Sequence, residues 1–201
     1  MEYEHLPLFS VPLYVGYLNA PTEEEMDYID GLEYRLNYGG GNLTSLDDYI
    51  LNKLPSLKCQ IQWHIDKYVS EVINAKTEFS LYITQSWVNK NKQGTRHAQH
   101  MHTNSIISGV FYFSDNPQPI TFHKYFDYLE LFAIEPKEYN QYNYTKFLHR
   151  PPKHSLVLFP SILRHSVIQN DTETDRFSLA FNTFFKGTFG CRDDMTLLEL
   201  N

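Results

Sequence analysis

The sequence predicts a mainly β domain with helices near its N-terminus, of the sandwich or jelly-roll type. Three observations lead to this prediction. The first third of the chain carries helical periodicity, the remainder consists of short segments rich in β-branched and aromatic residues, and turn-forming sequences separate those segments. Many short strands at such spacing are typical of jelly rolls, in which two antiparallel sheets pack face to face.

The N-terminal region begins with a predicted strand and a short helix. Residues 7–15 (PLFSVPLYV) form the strand, and its prolines place it at a sheet edge. Thr22 and Glu25 have the spacing of a capping box, which predicts the start of an amphipathic helix. The apolar positions of that helix are Met26, Ile29, Leu32 and Leu36. The glycines at 39–41 are expected to end it.

A longer helix is predicted to follow, with Ser56 as its capping residue. Apolar residues repeat every three or four positions along it and form one stripe, which needs a sheet to cover. The stripe consists of Leu57, Ile61, Ile65, Val69 and Val72. This pattern is the reason for placing helices on one side of the β core.

Six segments from Phe79 onward predict strands, because they are short, β-branched and aromatic, and bounded by turn signals. They are 79–88, 105–113, 119–123, 155–159, 162–169 and 176–185. We expect a single domain over 1–201, in which 1–78 supplies the N-terminal strand and supporting helices and 79–190 forms the jelly-roll core.

Residues 124–153 interrupt the regular spacing of short strands and turns, and they are predicted to form a lid-like insertion in that core. The segment is rich in aromatic residues: Tyr125, Phe126, Tyr128, Phe132, Tyr139, Tyr142, Tyr144 and Phe147. A connection this long is usually a lid or a binding loop, and the alternative is a flap packed on the core by its aromatics. It is also the predicted surface for substrate recognition, where four basic residues would meet an acidic partner. These are Lys124, Lys146, Arg150 and Lys153.

Three histidines within six residues, His97, His100 and His102, indicate a metal site. On a strand, alternation turns His100 and His102 to the same face and His97 to the other, where it lies behind the ligands or in solvent. A third imidazole from a distant strand, His165, completes a set of three ligands. Imidazoles suit Fe(II), Zn(II), Cu(II) or Ni(II), and the alternative is ordinary surface or core histidines.

Arg176 supplies a candidate anion site next to that metal. It opens the strand that returns after His165, and alternation places Ser178 and Asn182 on its face. A guanidinium inside a barrel requires a carboxylate. A dicarboxylate that chelates the metal and pairs with Arg176 would satisfy both sites, with hydrogen bonds from Ser178 and Asn182. The alternative is an exposed arginine at a strand start.

Two blocks of the sequence resemble the 2-oxoglutarate/Fe(II)-dependent oxygenases. They are SWVNKNKQGTRHAQHMHTNSIISGVFYF at 86–113 and HSLVLFPSILRHSVIQNDTETDRFSLAFN at 154–182. Within the family they are most similar to an uncharacterised branch that is frequent in bacteria and tailed phages. The resemblance implies a double-stranded β-helix of the cupin-like, jelly-roll kind. It also implies that His102 stands where most of these oxygenases have Asp or Glu.

The resemblance implies roles for particular residues. His100, His102 and His165 would be the ligands of Fe(II), and Arg176 would bind the distal carboxylate of 2-oxoglutarate. Tyr112, Ser178 and Asn182 would also contact this cosubstrate, and Asn104 and Trp87 would contact the substrate. The implied reaction uses O2, releases succinate and CO2, and hydroxylates a protein or peptide side chain or a small metabolite. No side chain beyond the metal centre is needed as a catalytic acid or base.

Two other functions fit the same residues: a three-histidine jelly-roll enzyme that does not use 2-oxoglutarate, and a non-catalytic β domain with a structural or binding role. The net charge of −7 argues against broad binding of nucleic acid. The absence of a membrane-length apolar run or an export signal, together with only two cysteines, predicts the cytoplasm, or the host cytoplasm for a phage protein. Oligomeric state stays open, and a homodimer is one alternative.

Overall fold

Two antiparallel sheets form the body of the protein. A computed structural model describes residues 2–37, 40–76, 79–115, 117–125 and 130–200. Its strands are β1 (Tyr14–Tyr17), β2 (Tyr34–Leu36), β3 (Leu43–Ser45), β4 (Phe79–Asn91), β5 (His97–His100), β6 (Ile107–Tyr112), β7 (Ile120–His123), β8 (Lys146–His149), β9 (Ser155–Pro160), β10 (His165–Val167), β11 (Arg176–Phe189) and β12 (Leu198–Leu200). The larger sheet has the order β1-β9-β6-β11-β4-β3-β2, with β12 also paired to β11. The smaller sheet has the order β5-β10-β7-β8.

The first helix, α1, runs from Glu23 to Asp30, with Gly31 as its C-cap. The predicted capping box is confirmed: Glu25 N donates to Thr22 Oγ1 at 3.2 Å, and Thr22 N donates to Glu25 Oε2 at 3.1 Å. The prediction that the helix reaches Leu36 is wrong. Leu36 lies in β2, which pairs with β3 as a hairpin, so long-range pairing overrides the helical spacing of the apolar residues there. The expected breaker Gly39 lies outside the described residues.

The second helix, α2, runs from Pro55 to Tyr68 and continues as a π-helical turn over Val69–Ile73. The prediction that Ser56 caps this helix is wrong, because Ser56 already lies in the first turn. Leu54 precedes the helix without a capping side chain, and Pro55 presets the backbone angle of the first helical position. Glu25 replaces the missing cap, since its Oε1 accepts a hydrogen bond from Leu57 N at 3.0 Å. The two helices are therefore joined at their N-terminal ends.

One apolar core joins the helices to the larger sheet. Ile29 of α1 and Leu57 and Ile65 of α2 belong to the same buried cluster as Phe111 of β6 and Leu179 of β11. Full burial of each such side chain contributes about 1.5–3 kcal/mol. The predicted apolar stripe thus covers the sheet as expected, except at Val72, which is exposed. No helix among the described residues is both long and apolar enough to span a membrane.

Each of the six segments predicted as strands contains one. β1 lies at a sheet edge as expected, although it begins at Tyr14 rather than at residue 7. The short strands β2, β3, β8 and β12 were not predicted, because three or four residues carry too little periodicity to be recognised.

The insertion at 124–153 contributes β8 and a short helical turn over Glu130–Phe132. Its described aromatic side chains are exposed and do not form part of the core. They are Tyr125, Phe132, Tyr139, Tyr142, Tyr144 and Phe147. Phe126 and Tyr128 lie outside the described residues. In the described part of the insertion, packing of the aromatics on the core is therefore not observed.

Gly109 of β6 lies where two core side chains leave no room for a Cβ atom. An added Cβ would lie 2.1 Å from Phe181 Cζ and 2.8 Å from Leu158 Cδ2. Phe181 and Leu158 are fully buried, so neither can move aside cheaply. Gly109→Ala is expected to lower the free energy of unfolding by about 1–3 kcal/mol, measured by denaturant titration. Gly31→Ala is a control, since its Cβ would find ordinary contacts.

Candidate metal and cosubstrate site

β5 and β10 bring two of the predicted metal-ligating histidines face to face. His100 and His165 are direct partners across these antiparallel strands. His102 lies just beyond the end of β5, and its position is fixed because its backbone N–H donates to Ser161 O at 3.0 Å. One ligand nitrogen from each of the three histidines lies within 4.8 Å of the others. The structure therefore gathers the three imidazoles around one point.

Hydrogen bonds determine which ring nitrogen is free in two of these histidines. His100 Nδ1 lies 2.8 Å from Ala98 O, and His165 Nδ1 lies 2.9 Å from Leu163 O. A carbonyl oxygen only accepts, so each Nδ1 carries the proton and each Nε2 presents a lone pair. The Nε2 atoms of His100 and His102 are 3.3 Å apart. Nitrogens at this spacing can coordinate one divalent metal.

The imidazoles are held in the neutral form that binds metals. Burial lowers the pKa of His165 to about 2, and repulsion from His100 is the next largest cause. Burial also lowers the pKa of His100 and of His102. A low pKa means that these rings do not become protonated near neutral pH, so protons do not compete with a metal there.

The prediction that His97 faces away from His100 is wrong. The two rings are stacked on each other. The ring centroids are 4.1 Å apart and the planes 18° from parallel. The reason is a β-bulge: His97 and His100 are three residues apart but pair with Val167 and His165, which are two apart. The extra residue reverses the alternation of side chains and turns both histidines to the same face. Burial lowers the pKa of His97 to about 3.

Arg176 lines an inner cavity together with the three histidines, and Tyr112 and Ser178 line it as well. Arg176 Nε is buried without a hydrogen-bond partner, and among the described residues Arg176 forms no ion pair. No acidic side chain of the described chain lines this cavity. Burial raises the pKa of Tyr112, so its hydroxyl keeps its proton. The cavity thus contains a hydroxyl donor and a cation that has no acidic partner among the described residues, which together favour an anion.

Asn182, which alternation placed on the same face as Arg176, does not line the inner cavity. Its Oδ1 lies 2.5 Å from His102 Nδ1, and Asn182 lines a second, outer cleft rather than the inner cavity. The outer cleft has a volume of about 470 Å³ and is mostly polar. Trp87 and Asn104 also line it, as do Arg35 and Asp48, which form an ion pair at 2.8 Å. Trp87 faces both the inner cavity and the outer cleft.

Two amide side chains of the inner cavity were missed by the sequence analysis. Asn91 is the direct cross-strand partner of Arg176, and alternation along β4 from Trp87 could have placed it on the cavity face. Gln118 lies in an irregular segment where no periodicity exists to reveal it. It is held in place because its side-chain amide donates to Ile168 O. No described residue of the insertion at 124–153 lines the inner cavity or the outer cleft.

Residues 85–182 match the model of a protein family described as "Putative 2OG-Fe(II) oxygenase". This range contains His100, His102, His165 and Arg176. No curated protein sequence matches the chain significantly.

Three similar solved structures show the fold. A Pseudomonas putida prolyl-4-hydroxylase is 10% identical, with a TM-score of 0.56 over 87% of this chain and 94% of that one. HygX from Streptomyces hygroscopicus, with nickel and 2-oxoglutarate bound, is 11% identical, with a TM-score of 0.55 over 86% of this chain and 82% of that one. A 2OG-Fe(II) oxygenase family oxidoreductase from Burkholderia pseudomallei is 12% identical, with a TM-score of 0.54 over 84% of this chain and 83% of that one. The expected double-stranded β-helix is confirmed.

Proposed function

Because the chain belongs to the 2OG-Fe(II) oxygenases, we propose that His100, His102 and His165 hold its Fe(II) and that Arg176 binds the distal carboxylate of 2-oxoglutarate. The observation that supports this most strongly is one cavity with two features. It contains converging imidazole nitrogens, and it contains a guanidinium that has no acidic partner among the described residues. A metal chelated by a dicarboxylate satisfies both features.

The donor set fits iron and its cosubstrate. Three neutral imidazoles leave both positive charges of Fe(II) uncompensated, which favours a doubly negative chelator over a neutral one. Bound Fe(II) supplies the oxidative decarboxylation of 2-oxoglutarate by O2 to succinate and CO2, coupled to hydroxylation of a substrate C–H bond.

In this scheme the protein's own residues bind and orient the cosubstrate. Arg176 holds the far carboxylate through charge-assisted hydrogen bonds, and Tyr112 and Ser178 donate hydrogen bonds to the same group. Val110, Ile120 and other apolar residues line the cavity and exclude water from it.

The substrate enters through the outer cleft, beside Trp87 and Asn104, and is a protein or peptide side chain or a small metabolite. The polar lining and the Arg35–Asp48 ion pair suit a substrate that forms hydrogen bonds. A prolyl hydroxylase from Trichoplax adhaerens, in complex with a peptide fragment, shares the fold at 12% identity, with a TM-score of 0.53 over 86% of this chain and 83% of that one. The insertion at 124–153 remains a second predicted recognition surface.

Anaerobic titration tests this function. Fe(II) is added to the apoprotein, followed by 2-oxoglutarate, and the visible absorption of the iron–keto-acid chelate is recorded. We expect saturable iron binding and then a new visible band. Iron binding without a response to 2-oxoglutarate would favour the three-histidine enzyme that does not use it. Binding of neither would leave a non-catalytic domain.

A further inference from the structure

A buried chain of polar side chains leads away from His102 into the protein. His102 Nδ1 lies 2.5 Å from Asn182 Oδ1, which also lies 2.9 Å from Ser108 Oγ. Ser108 Oγ is 2.8 Å from Ser161 Oγ, which is 2.7 Å from Ser105 Oγ. Ser108 and Ser161 are completely buried, so bulk water does not replace a missing partner of either hydroxyl.

His102 differs from the other two histidines in how its ring is held. His100 and His165 each bond through Nδ1 to the backbone carbonyl of the residue two positions earlier, Ala98 and Leu163. A carbonyl cannot donate, so those bonds fix the tautomer by themselves. His102 has a side-chain amide there instead, and an amide offers either an acceptor oxygen or a donor nitrogen. The tautomer of His102 therefore depends on the orientation of Asn182.

The hydroxyl chain has a definite direction when Asn182 presents its oxygen to His102. Each serine has one proton. Ser108 donates to Asn182 Oδ1, so Ser161 must donate to Ser108. Ser105 must then donate to Ser161, 2.7 Å away, rather than to the carbonyl of Ile107 at 3.2 Å. The alternative turns the amide around. Asn182 would then donate to His102 Nδ1, and His102 Nε2–H would point at His100 Nε2, 3.3 Å away. Only the first arrangement leaves Nε2 free for a metal.

We propose that Asn182 is a positioning residue that, held by Ser108, fixes His102 as the Nδ1-protonated tautomer and so makes its Nε2 a metal ligand. This inference rests on the proposed function, since it concerns the third ligand of the same metal. Consecutive hydrogen bonds polarise one another, so the serine chain stabilises the orientation of the amide. The backbone carbonyl of Ser161 also accepts the backbone N–H of His102, so a residue of the same hydroxyl chain holds the backbone of His102.

The test measures tautomers in the metal-free protein, independently of activity. Long-range 1H–15N NMR correlations of the histidine-labelled apoprotein at neutral pH distinguish protonated from unprotonated ring nitrogens. We expect His102 to carry its proton on Nδ1 in the wild-type protein. In Asn182→Ala this preference is lost, and Fe(II) affinity falls by about 10- to 100-fold, as is typical when a partner behind a metal ligand is removed. His100 and His165 serve as internal controls, because their acceptors are backbone atoms.

Two further variants separate positioning from a general structural effect. Asn182→Asp keeps an acceptor oxygen for both donors and is expected to restore the Nδ1 tautomer and most of the Fe(II) affinity. Ser108→Ala is expected to weaken the preference without changing His100 or His165. A wild-type His102 protonated on Nε2 in a protein that binds iron would overturn the inference and leave the proposed function standing. Nδ1 protonation without any iron binding would overturn the proposed function.

Discussion

Arg176→Ala is expected to weaken 2-oxoglutarate binding by roughly 2–4 kcal/mol, which corresponds to about 30- to 1000-fold in the dissociation constant. The wild-type guanidinium lines a cavity without an acidic partner among the described residues, so the cosubstrate carboxylate would be its counter-ion. Removal of the cation leaves that carboxylate in the same cavity without compensation, which costs more than the loss of a surface ion pair would. Fe(II) affinity should change little, because Arg176 is not one of the proposed metal ligands.

The measurement is an anaerobic titration of the Fe(II)-loaded variant with 2-oxoglutarate, followed by the visible band or by calorimetry. Arg176→Lys should recover part of the affinity, because a point charge replaces the fork of the guanidinium. Arg192→Ala is a matched control, since Arg192 is exposed in the turn before β12 and lines neither the inner cavity nor the outer cleft. Unchanged affinity in Arg176→Ala would remove this residue from the cosubstrate site.

The histidine spacing was sufficient to predict which imidazoles meet, because antiparallel pairing and alternation are regular over short distances. His100 and His165 are direct cross-strand partners, and Arg176 faces the same cavity. The side of the sheet to which the His97 side chain points could not be predicted in this way. A β-bulge adds one residue to β5, and the sequence contains no signal for it, since a bulge depends on how two distant segments pair.

The role of Asn182 shows a second limit. Alternation along β11 places Asn182 on the face of Arg176, and this predicted a contact with the same ligand. β11 is long, however, and Asn182 lies six positions further along it than Arg176. Asn182 therefore lies beside His102 and Ser108, which it contacts, and does not line the inner cavity with Arg176. Periodicity predicts the face of a residue, but distance along the strand decides which group it touches.

His165→Ala is expected to abolish detectable Fe(II) binding, with a loss of more than about 100-fold. Removal of a partner behind a ligand already costs roughly 10- to 100-fold, and here one of the three proposed ligands itself is lost. The consequence also appears in stability. A metal that binds only the folded state stabilises it by about 2.7 kcal/mol at a concentration 100 times its dissociation constant. Wild-type protein should therefore unfold at a higher temperature with Fe(II) or Mn(II), and the variant should not.

His123→Ala is the matched control for this experiment. His123 lies on β7, the neighbour of β10 in the same sheet, and its Nε2 lies 2.8 Å from Ser166 Oγ rather than near the three ligands. It should lose one hydrogen bond yet keep the full metal-dependent rise in unfolding temperature. Because His165 is almost fully buried against Phe159, its replacement also leaves a void, so the comparison is made within each variant, with and without metal. A metal-dependent rise that persists in His165→Ala would show that the ion is held by other residues.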